Sequence, residues 1–481
     1  MLAPSIKSLM SRPQSLTRQQ KSPNQVDIQR VLVANRGEIA VRIIFACQSL
    51  GLESVLVVSE ADRLTRGARL ADRTVCIGAS ASSLSYLNIP ALITAALETQ
   101  CQALHPGYGF LAESQALAQA CSDHGIVFVG PTPDQIHRMG NKLQARILAQ
   151  ESGVPMLSGS EKLRDASHAQ ALASAIGYPV MLKAAAGGGG RGMKIVSHEH
   201  ELVSLFTSAS AESRNAFGDD TLYLEKYIPN ARHVEVQVLG DQHGHLIHLG
   251  ERDCSLQRRH QKVVEESPAP NLVASAREGM RRSAIELARV LNYQSAGTVE
   301  FILDGDTQKY YFLEMNTRVQ VEHPVSEAIT GIDIVELQLK IAAGEVLPFK
   351  QEDIVFRGHA IECRINAELP LEGFRPSPGR ITIWKPPQGP NIRLDTHCFE
   401  GYEVPIYYDS MLAKLIVYGA NRAEAIRRMK NALKRFEVEG IGTTLPFLSF
   451  AMNHERFESG QVNTVLVEQL IKEMLDQTRS D

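Results

Sequence analysis

Acidic, amide and basic side chains alternate with mostly apolar residues between positions 313 and 322. If this segment is extended, its period of two places the polar groups on one face and the apolar groups against the core. The turn residues 304–306 would pair it with residues 300–303 and bring Glu300 opposite Glu314. The predicted polar face comprises Glu314, Asn316, Arg318, Gln320 and Glu322.

Two carboxylates and an amide oxygen gathered in this way predict a site for a divalent cation. Like charges repel at close range unless a cation lies between them, and oxygen ligands suit Mg²⁺ or Mn²⁺ completed by substrate phosphates. The predicted ligands are Glu300, Glu314 and Asn316. The alternative interpretation is a solvated strand face with a surface Arg–Glu pair.

Four consecutive glycines at positions 187–190 follow Lys183 and precede a short predicted strand at 193–196. Such a run favours neither helix nor strand, but it lets the backbone approach a ligand closely and direct amides at it. Because the lysine precedes the glycines, the pattern differs from a P-loop. It predicts a hairpin flap over phosphates, and a flexible surface loop is the alternative.

Residues 252–262 concentrate basic and titratable groups. A nucleic-acid patch is disfavoured, because no aromatic residues are interleaved and the formal net charge of the chain is −4. The remaining interpretations are a solvated loop and an anion clamp beside a nucleotide site, since phosphoryl transfer is catalysed mostly by positioned charge.

The composition limits the class of protein. A length of 481 residues suggests about three domains. No window approaches the ~18 uninterrupted apolar residues of a membrane span, so no membrane association is expected. The seven cysteines are dispersed without a CxxC pair, which argues against disulfides or structural zinc and favours a reducing compartment.

The elements that must position these groups follow from the hydrophobic pattern. Predicted strands at 31–34, 54–59, 74–77 and 126–129 alternate with helices, which indicates a parallel, doubly wound, Rossmann-like sheet. Its first turn lacks GxGxxG, so a dinucleotide site is disfavoured. Further on, hairpins at 233–249 and 300–316 indicate antiparallel sheet, and the later part mixes short strands with one amphipathic helix at 422–436.

Six ordered motifs then identify a family resemblance. They lie at residues 34–40 (ANRGEIA), 105–111 (HPGYGFL), 187–193 (the glycine run with RGM), 251–266, 314–324 (EMNTRVQVEHP) and 358–367 (GHAIECRINA). Together they resemble biotin carboxylase, an ATP-grasp enzyme, over about residues 28–470. The resemblance implies an α/β ATP-grasp fold with a Rossmann-like N-terminal domain, a glycine-rich lid subdomain and a C-terminal biotin carboxylase domain.

The resemblance also implies the reaction: ATP phosphorylates bicarbonate to carboxyphosphate, which supplies CO₂ to the ureido nitrogen of biotin on a carrier protein. Glu300, Glu314 and Asn316 would hold one or two Mg²⁺ or Mn²⁺ ions. The nucleotide would be bound by Lys142, Lys183, Gly189, Gly190, Glu225, Lys226, Tyr227, Ile228, His233, Gln257 and His260.

By the same resemblance, four side chains would carry the chemistry. Glu322 would be the general base on bicarbonate, Arg318 would hold carboxyphosphate, and Arg364 would stabilise the enolate-like oxygen of ionised biotin. Lys262, Gln320 and Val321 would surround bicarbonate with Arg318. Closure of the flap would exclude water and protect carboxyphosphate from hydrolysis.

The expected domains are a disordered or targeting tail at 1–27, a Rossmann-like domain at 28–140, an ATP-grasp domain at 141–349 with its lid at about 157–227, and a C-terminal domain at 350–470. Residues 1–26 are basic and lack Asp and Glu, so an organelle transit peptide is the alternative to a cytoplasmic location.

The chain shows no Met-Lys-Met biotin attachment site and no carboxyltransferase domain by residue 481. We therefore expect a separate subunit, commonly a homodimer in this family, that acts on a biotin carboxyl carrier protein and a carboxyltransferase. Two alternatives remain. One is another ATP-grasp ligase joining a carboxylate to an amine, and the other is a silent nucleotide-binding scaffold. The final carboxyl acceptor, an acyl-CoA or pyruvate, stays open.

Overall fold

The first part of the chain forms a parallel sheet between helices, as predicted. The computed structural model describes residues 25–185 and 193–480. The elements are β1 (Arg30–Val33), α1 (Gly37–Leu50), β2 (Glu53–Ser59), α2 (Arg66–Leu70), β3 (Arg73–Gly78), α3 (Ile89–Glu98), β4 (Ala103–His105), α4 (Gln115–Asp123), β5 (Val127–Phe128) and α5 (Pro133–Gly140). All strand pairs are parallel in the order β3-β2-β1-β4-β5.

Helix α1 shows how the sequence specifies this packing. Ile39, Ile43 and Cys47 recur at helical spacing and are buried on one side of the helix. The helix ends where Gly51 adopts a left-handed φ of 70°, a conformation that costs glycine nothing.

The segment that follows is a small antiparallel sheet with helices. Its elements are α6 (Lys142–Glu151), α7 (Ala166–Ile176), β6 (Val180–Ala184), β7 (Met193–Val196), α8 (Leu202–Phe217) and β8 (Leu222–Lys226). Strands β6 and β7 pair antiparallel with Lys183 opposite Met193, so the predicted hairpin is confirmed. The predicted flap residues Gly189 and Gly190 lie outside the described residues.

The central part supplies the long strands of the molecule. Its elements are β9 (Ala231–Gly240), β10 (Leu246–Arg258), β11 (Gln261–Ser267), α9 (Ala274–Val290), β12 (Ser295–Asp304), β13 (Tyr310–Asn316), α10 (His323–Thr330) and α11 (Ile334–Ala342). The prediction that residues 314–322 form one strand is wrong, because β13 ends at Asn316. The basic segment is also not a loop, since it completes β10, turns at Arg259 and His260, and begins β11.

The last part is richer in helices than predicted. Its elements are β14 (His359–Asn366), β15 (Glu368–Leu369), β16 (Arg375–Pro376), β17 (Gly379–Arg380), β18 (Ile383–Lys385), β19 (Ile392–Thr396), β20 (Glu403–Val404), β21 (Met411–Gly419), α12 (Arg422–Lys434), β22 (Glu437–Glu439), α13 (Leu445–Asn453), α14 (Glu455–Glu458) and α15 (Leu466–Ser480). The expectation of a single helix is wrong: α13 is apolar almost throughout and therefore shows no clear helical period.

An antiparallel sheet with strands of different lengths joins the central part of the chain to the last part. Within the described residues it has eight strands in the order β13-β12-β9-β10-β11-β14-β21-β19. Two apolar clusters cover its faces, one around α9 and one around α12, α13 and α15. In the part of the chain that the structure describes, no helix is long and apolar enough to cross a membrane.

Arg252, the first residue of the basic segment, is a structural side chain. It is 0% exposed and donates to Glu235 Oε1 at 2.6 Å and to Gln237 Oε1 at 2.7 Å. It also donates to Ser326 Oγ at 3.0 Å and Thr298 Oγ1 at 3.1 Å. One guanidinium therefore ties β9, β10, β12 and α10 together.

We expect Arg252→Met to lower the free energy of unfolding by about 3–5 kcal/mol, because Glu235 would remain buried without this cation. Urea denaturation followed by circular dichroism measures the change. Arg282→Met is the matched control, since Arg282 is exposed on α9 and should lie within about 0.5 kcal/mol of the unaltered protein. Equal stability of the two variants would contradict this structural role.

Candidate active site

Lys262 is the centre of a buried cluster of charges. Its Nζ donates to Glu235 Oε2 at 2.6 Å, Glu300 Oε1 at 2.9 Å and Glu322 Oε1 at 2.6 Å. Burial alone would lower the pKa of Lys262, but the three carboxylates outweigh it and raise the pKa well above the ordinary value. The ammonium is therefore fixed as a cation.

A register row across four strands places two carboxylates of this cluster, Glu235 and Glu300, beside Glu314. Glu314 on β13 lies opposite Glu300 on β12, as predicted, and Glu300 lies opposite Glu235 on β9. Glu235 in turn lies opposite Arg252 on β10. Directly opposed residues in an antiparallel pair have neighbouring side chains, so three carboxylates follow one another and end at an arginine.

The predicted metal ligands lie at the open end of this row. Loss of water and the nearby Glu300 carboxylate raise the pKa of Glu314, and Lys142 opposes this shift. Burial would also raise the pKa of Glu300, but Lys262 and His233 lower it instead. Two carboxylates and the Asn316 amide form an all-oxygen donor set, which fits Mg²⁺ or Mn²⁺.

Arg318, Gln320 and Glu322 follow β13 in a turn, yet their side chains converge on the same cluster. Arg318 donates to Asn316 Oδ1 at 2.9 Å and to Gln320 Oε1 at 2.8 Å. Gln320 Nε2 donates to Glu300 Oε1 at 2.9 Å. Glu322 is the residue before α10 and is fully buried. The side chains predicted to share one face therefore do lie together, although they are not all on one strand.

Glu113 is a member of this site that the sequence interpretation missed. Its carboxylate accepts from Arg318 Nε at 3.0 Å and from the Thr317 backbone N–H at 3.0 Å. Only its position two residues after the motif at 105–111 could have pointed to it. The contact is long-range in the chain and fixes the direction of the Arg318 guanidinium.

Arg364 lies on β14 between two carboxylates. It donates to Glu265 Oε1 at 2.6 Å and to Glu322 Oε2 at 2.9 Å. Burial alone would lower the pKa of Arg364, but these carboxylates outweigh it and raise the pKa. Glu322 is thus held by Lys262 on one oxygen and by Arg364 on the other.

A second group of predicted residues surrounds Lys183 on β6. The Lys183 ammonium and the Arg146 guanidinium both contact the Glu225 carboxylate. Arg146 was also missed by the sequence interpretation. Burial lowers the pKa of Lys142, which begins α6, although Glu314 opposes the shift. Lys142 therefore lies within electrostatic range of both Glu314 and Lys183.

The other residues predicted to bind the nucleotide lie near the Lys262 cluster or near the group around Lys183. The Lys226 side chain points away and donates to the carbonyls of Gly177 and Tyr178 at 2.8 and 3.1 Å. Tyr227 and Ile228 follow β8 and are half-buried. The ring of His233 lies 3.1 Å from Glu300.

Three further predicted residues lie on neighbouring elements. Gln257 is buried on β10 opposite Lys262. His260 is exposed in the β10–β11 turn with a φ of 66°. The Val321 carbonyl accepts from Lys414 Nζ at 2.9 Å.

Family models cover most of the chain. The model described as "Biotin carboxylase, N-terminal domain" matches residues 27–136. "Carbamoyl-phosphate synthase L chain, ATP binding domain" matches residues 141–350, and "Biotin carboxylase C-terminal domain" matches residues 362–469.

Named relatives agree with these models. The chain is 50% identical to biotin carboxylase from Nostoc sp. over 92% of this chain and 99% of that protein. It is 51% identical to biotin carboxylase 1 from Bacillus subtilis over 92% and 98%. It is also 49% identical to the chloroplastic biotin carboxylase 1 from Populus trichocarpa over 93% and 84%.

Solved structures give the same result. The Campylobacter jejuni biotin carboxylase–β-γ-ATP complex superimposes with a TM-score of 0.89 at 48% identity, over 92% of this chain and 99% of that one. The biotin carboxylase domain of Hydrogenobacter thermophilus 2-oxoglutarate carboxylase, solved as a dimer with MgADP, ADP and bicarbonate, gives 0.89 at 47% identity over 92% and 98%. With the long aligned regions and these matching folds, the chain belongs to the biotin carboxylase family and has its ATP-grasp architecture.

Proposed function

We propose that this protein uses ATP and bicarbonate to carboxylate biotin on a separate carrier protein. One observation carries the proposal most directly: Glu322 is fully buried and held between Lys262 and Arg364, with Arg318 nearby. A fixed carboxylate among three cations suits a reaction between anions. Bicarbonate and the nucleotide phosphates could share those cations while the carboxylate accepts a proton.

Glu300, Glu314 and Asn316 are the residues proposed to hold Mg²⁺ or Mn²⁺, as one or two ions. When bound, the metal neutralises the nucleotide phosphates and orients them for transfer. Lys142 and Lys183 add positive charge on the lid side of the acidic row. Glu225 is proposed to position Lys183, because its carboxylate contacts both that ammonium and Arg146.

The rest of the nucleotide site is a proposal from the resemblance. Lys226, Tyr227 and Ile228 would line the adenine. His233, Gln257 and His260 would face ribose and phosphate, and Gly189 and Gly190 would close over the phosphates. The Lys226 N–H donates to the Ser158 carbonyl at 2.7 Å, so Lys226 would offer its carbonyl oxygen to the base.

Glu322 is proposed to accept the proton of bicarbonate. Burial would raise its pKa, but Lys262 and Arg364 lower it well below the ordinary value, so it is ionised before substrate arrives. A bound bicarbonate would draw on the same cations and raise the basicity of Glu322 at the moment of transfer. The bicarbonate oxygen then attacks the γ-phosphorus, the bond to ADP breaks, and carboxyphosphate forms.

Arg318 and Arg364 are proposed to act on the second half of the reaction. Arg318, with Lys262, Gln320 and Val321, would hold carboxyphosphate until it separates into CO₂ and phosphate. Phosphate would then take the proton from the biotin nitrogen, which attacks CO₂. Arg364 would stabilise the negative charge that develops on the ureido oxygen.

The proposed partners are a biotin carboxyl carrier protein, a carboxyltransferase and a second copy of the chain. The Hydrogenobacter relative was solved as a dimer, which supports the last of these. We infer a cytoplasmic location, although several plant relatives are named as chloroplastic. A fluorescent fusion with and without residues 1–27 distinguishes the two locations.

The direct test of the proposed function is ADP release from MgATP by the purified chain. We expect release to require bicarbonate and to rise when free biotin is added, with carboxybiotin as the product. Turnover without bicarbonate in the presence of an amine would instead identify the other kind of ATP-grasp ligase.

Replacing the base tests the proposed chemistry. Glu322→Gln should lower carboxybiotin formation by about 100-fold to 10,000-fold, because the amide cannot accept the proton. The matched control is Glu345→Gln, since Glu345 is exposed after α11. Carboxylation by Glu322→Gln at the rate of the control would remove Glu322 as the base, and absence of carboxylation in the unaltered protein would favour the scaffold interpretation.

Replacing a proposed metal ligand tests the cation site. Glu314→Gln should raise the Mg²⁺ concentration needed for half-maximal ADP release by roughly tenfold or more, because one anionic oxygen is lost. A magnesium titration at saturating ATP measures the shift against Glu345→Gln. The same half-maximal concentration in both variants would remove Glu314 from the metal site.

A further inference from the structure

Glu265 and Glu362 form a buried pair of carboxyl groups beside the proposed biotin side of the site. They are register partners on β11 and β14 and are 1% and 0% exposed. Directly opposed residues in an antiparallel pair have Cβ atoms about 5 Å apart, so the two carboxyl groups are neighbours.

The contacts of the two groups differ. Glu265 Oε1 accepts from Arg364, whereas Glu265 Oε2 and both oxygens of Glu362 have no hydrogen-bond partner among the described residues. Glu362 lies on the face of β14 that packs against α10. An apolar cluster on that face comprises Val325, Ile329, Ala360 and Ile416. Glu362 is therefore shielded from bulk solvent, and no donor among the described residues is aligned to stabilise a negative charge on it.

The surrounding charges do not supply the missing partner. Arg364, Glu322 and Lys414 face Glu362 together with Glu265, and Lys262 faces Glu265. Lys414 contacts Glu38 Oε1 at 3.0 Å and the Val321 carbonyl at 2.9 Å. Arg364 is bound to Glu265 and Glu322. The nearby cations are thus committed to other oxygens.

Two adjacent buried carboxyl groups cannot both ionise at low cost. Burial raises the pKa of Glu265 to about 7 and raises that of Glu362 well above its ordinary value, despite the opposing field of Lys414. The pair titrates as a unit. Because Glu265 has the contact with Arg364, Glu362 is the member that keeps the proton.

We propose that Glu265 and Glu362 hold one proton between them, and that this proton keeps a further negative charge from cancelling the field that Arg364 offers to the ureido oxygen of biotin. The proposal rests on the proposed function and makes Glu362 a positioning residue. Arg364 already faces two carboxylates, and Glu362 lies two residues away on the same strand, about 7 Å along it. A third negative charge there would weaken the field that Arg364 offers to a substrate anion.

The test compares Glu362→Gln with the unaltered protein across pH. The amide is neutral at every pH, whereas the pair in the unaltered protein loses its proton as pH rises. We compare kcat/KM for free biotin in the variant with kcat/KM in the unaltered protein. The ratio of the first to the second should therefore rise with pH on the alkaline side of neutrality, and the rise should approach about tenfold per pH unit. Bicarbonate-dependent ADP release without biotin is the internal control and should show no such rise in the ratio.

Infrared spectroscopy gives a readout that does not depend on activity. The folded unaltered protein should show a buried protonated carboxyl band at neutral pH, and Glu362→Gln and Glu362→Met should both lack it. The matched control is Glu266→Gln on the same strand as Glu265. Glu266 is bound by His359 and Arg422, which lower its pKa to about 2 against the effect of burial, so this variant should keep the band.

Stability provides the third readout. A carboxyl group whose pKa is raised in the folded state stabilises the fold below its unfolded pKa and loses that contribution as pH rises through the folded pKa. The melting temperature of Glu362→Gln relative to the unaltered protein should therefore increase with pH. Parallel pH profiles with an unchanged carboxyl band would overturn the proposal. Absence of biotin carboxylation by the unaltered protein would instead overturn the proposed function.

Discussion

The structure of the site depends on one ammonium group that holds three buried carboxylates together. Lys262 contacts Glu235, Glu300 and Glu322, which come from β9, from β12 and from the residue before α10. Without this cation, the register row of acids across the sheet would place like charges side by side in a region with little water. Lys262 is placed by the two-residue turn between β10 and β11, in which Arg259 and His260 both adopt positive φ, as tight hairpins require.

The other charged groups of the site come from two separate sheets. The eight-stranded sheet supplies Glu235, Glu300, Glu314 and Arg364 at fixed register, which suits groups that must hold charge in a constant geometry. Lys183 lies on the smaller sheet of β6, β7 and β8. Nucleotide phosphates between the two sheets would therefore be bound by acids and a metal on one side and by a lysine on the other.

Local patterns in the sequence predicted much of this arrangement. The opposition of Glu300 and Glu314 follows from a short hairpin and a period of two, and both are local properties. The extension of that strand to Glu322 failed, because alternation persisted beyond the point where the chain turns toward α10. The side chains still converge, since a turn can direct them to one place, and their chemical roles stay predictions.

Long-range partners could not be predicted in this way. Glu113 reaches Arg318 from 205 positions away in the chain, and Arg146 reaches Glu225 from 79. Arg252 was assigned to an exposed or anion-binding segment, but tertiary packing buries it completely. Such contacts depend on how the sheets and helices assemble, and neither composition nor periodicity carries that information.

A structure of this protein bound to a non-hydrolysable ATP analogue, Mg²⁺ and bicarbonate tests the central claim most directly. The account predicts Mg²⁺ on the carboxylates of Glu300 and Glu314, with the bicarbonate anion within hydrogen-bond distance of Lys262 and Arg318 and its hydroxyl directed at Glu322. Bicarbonate bound away from Lys262, or Mg²⁺ bound without either carboxylate, would contradict the account.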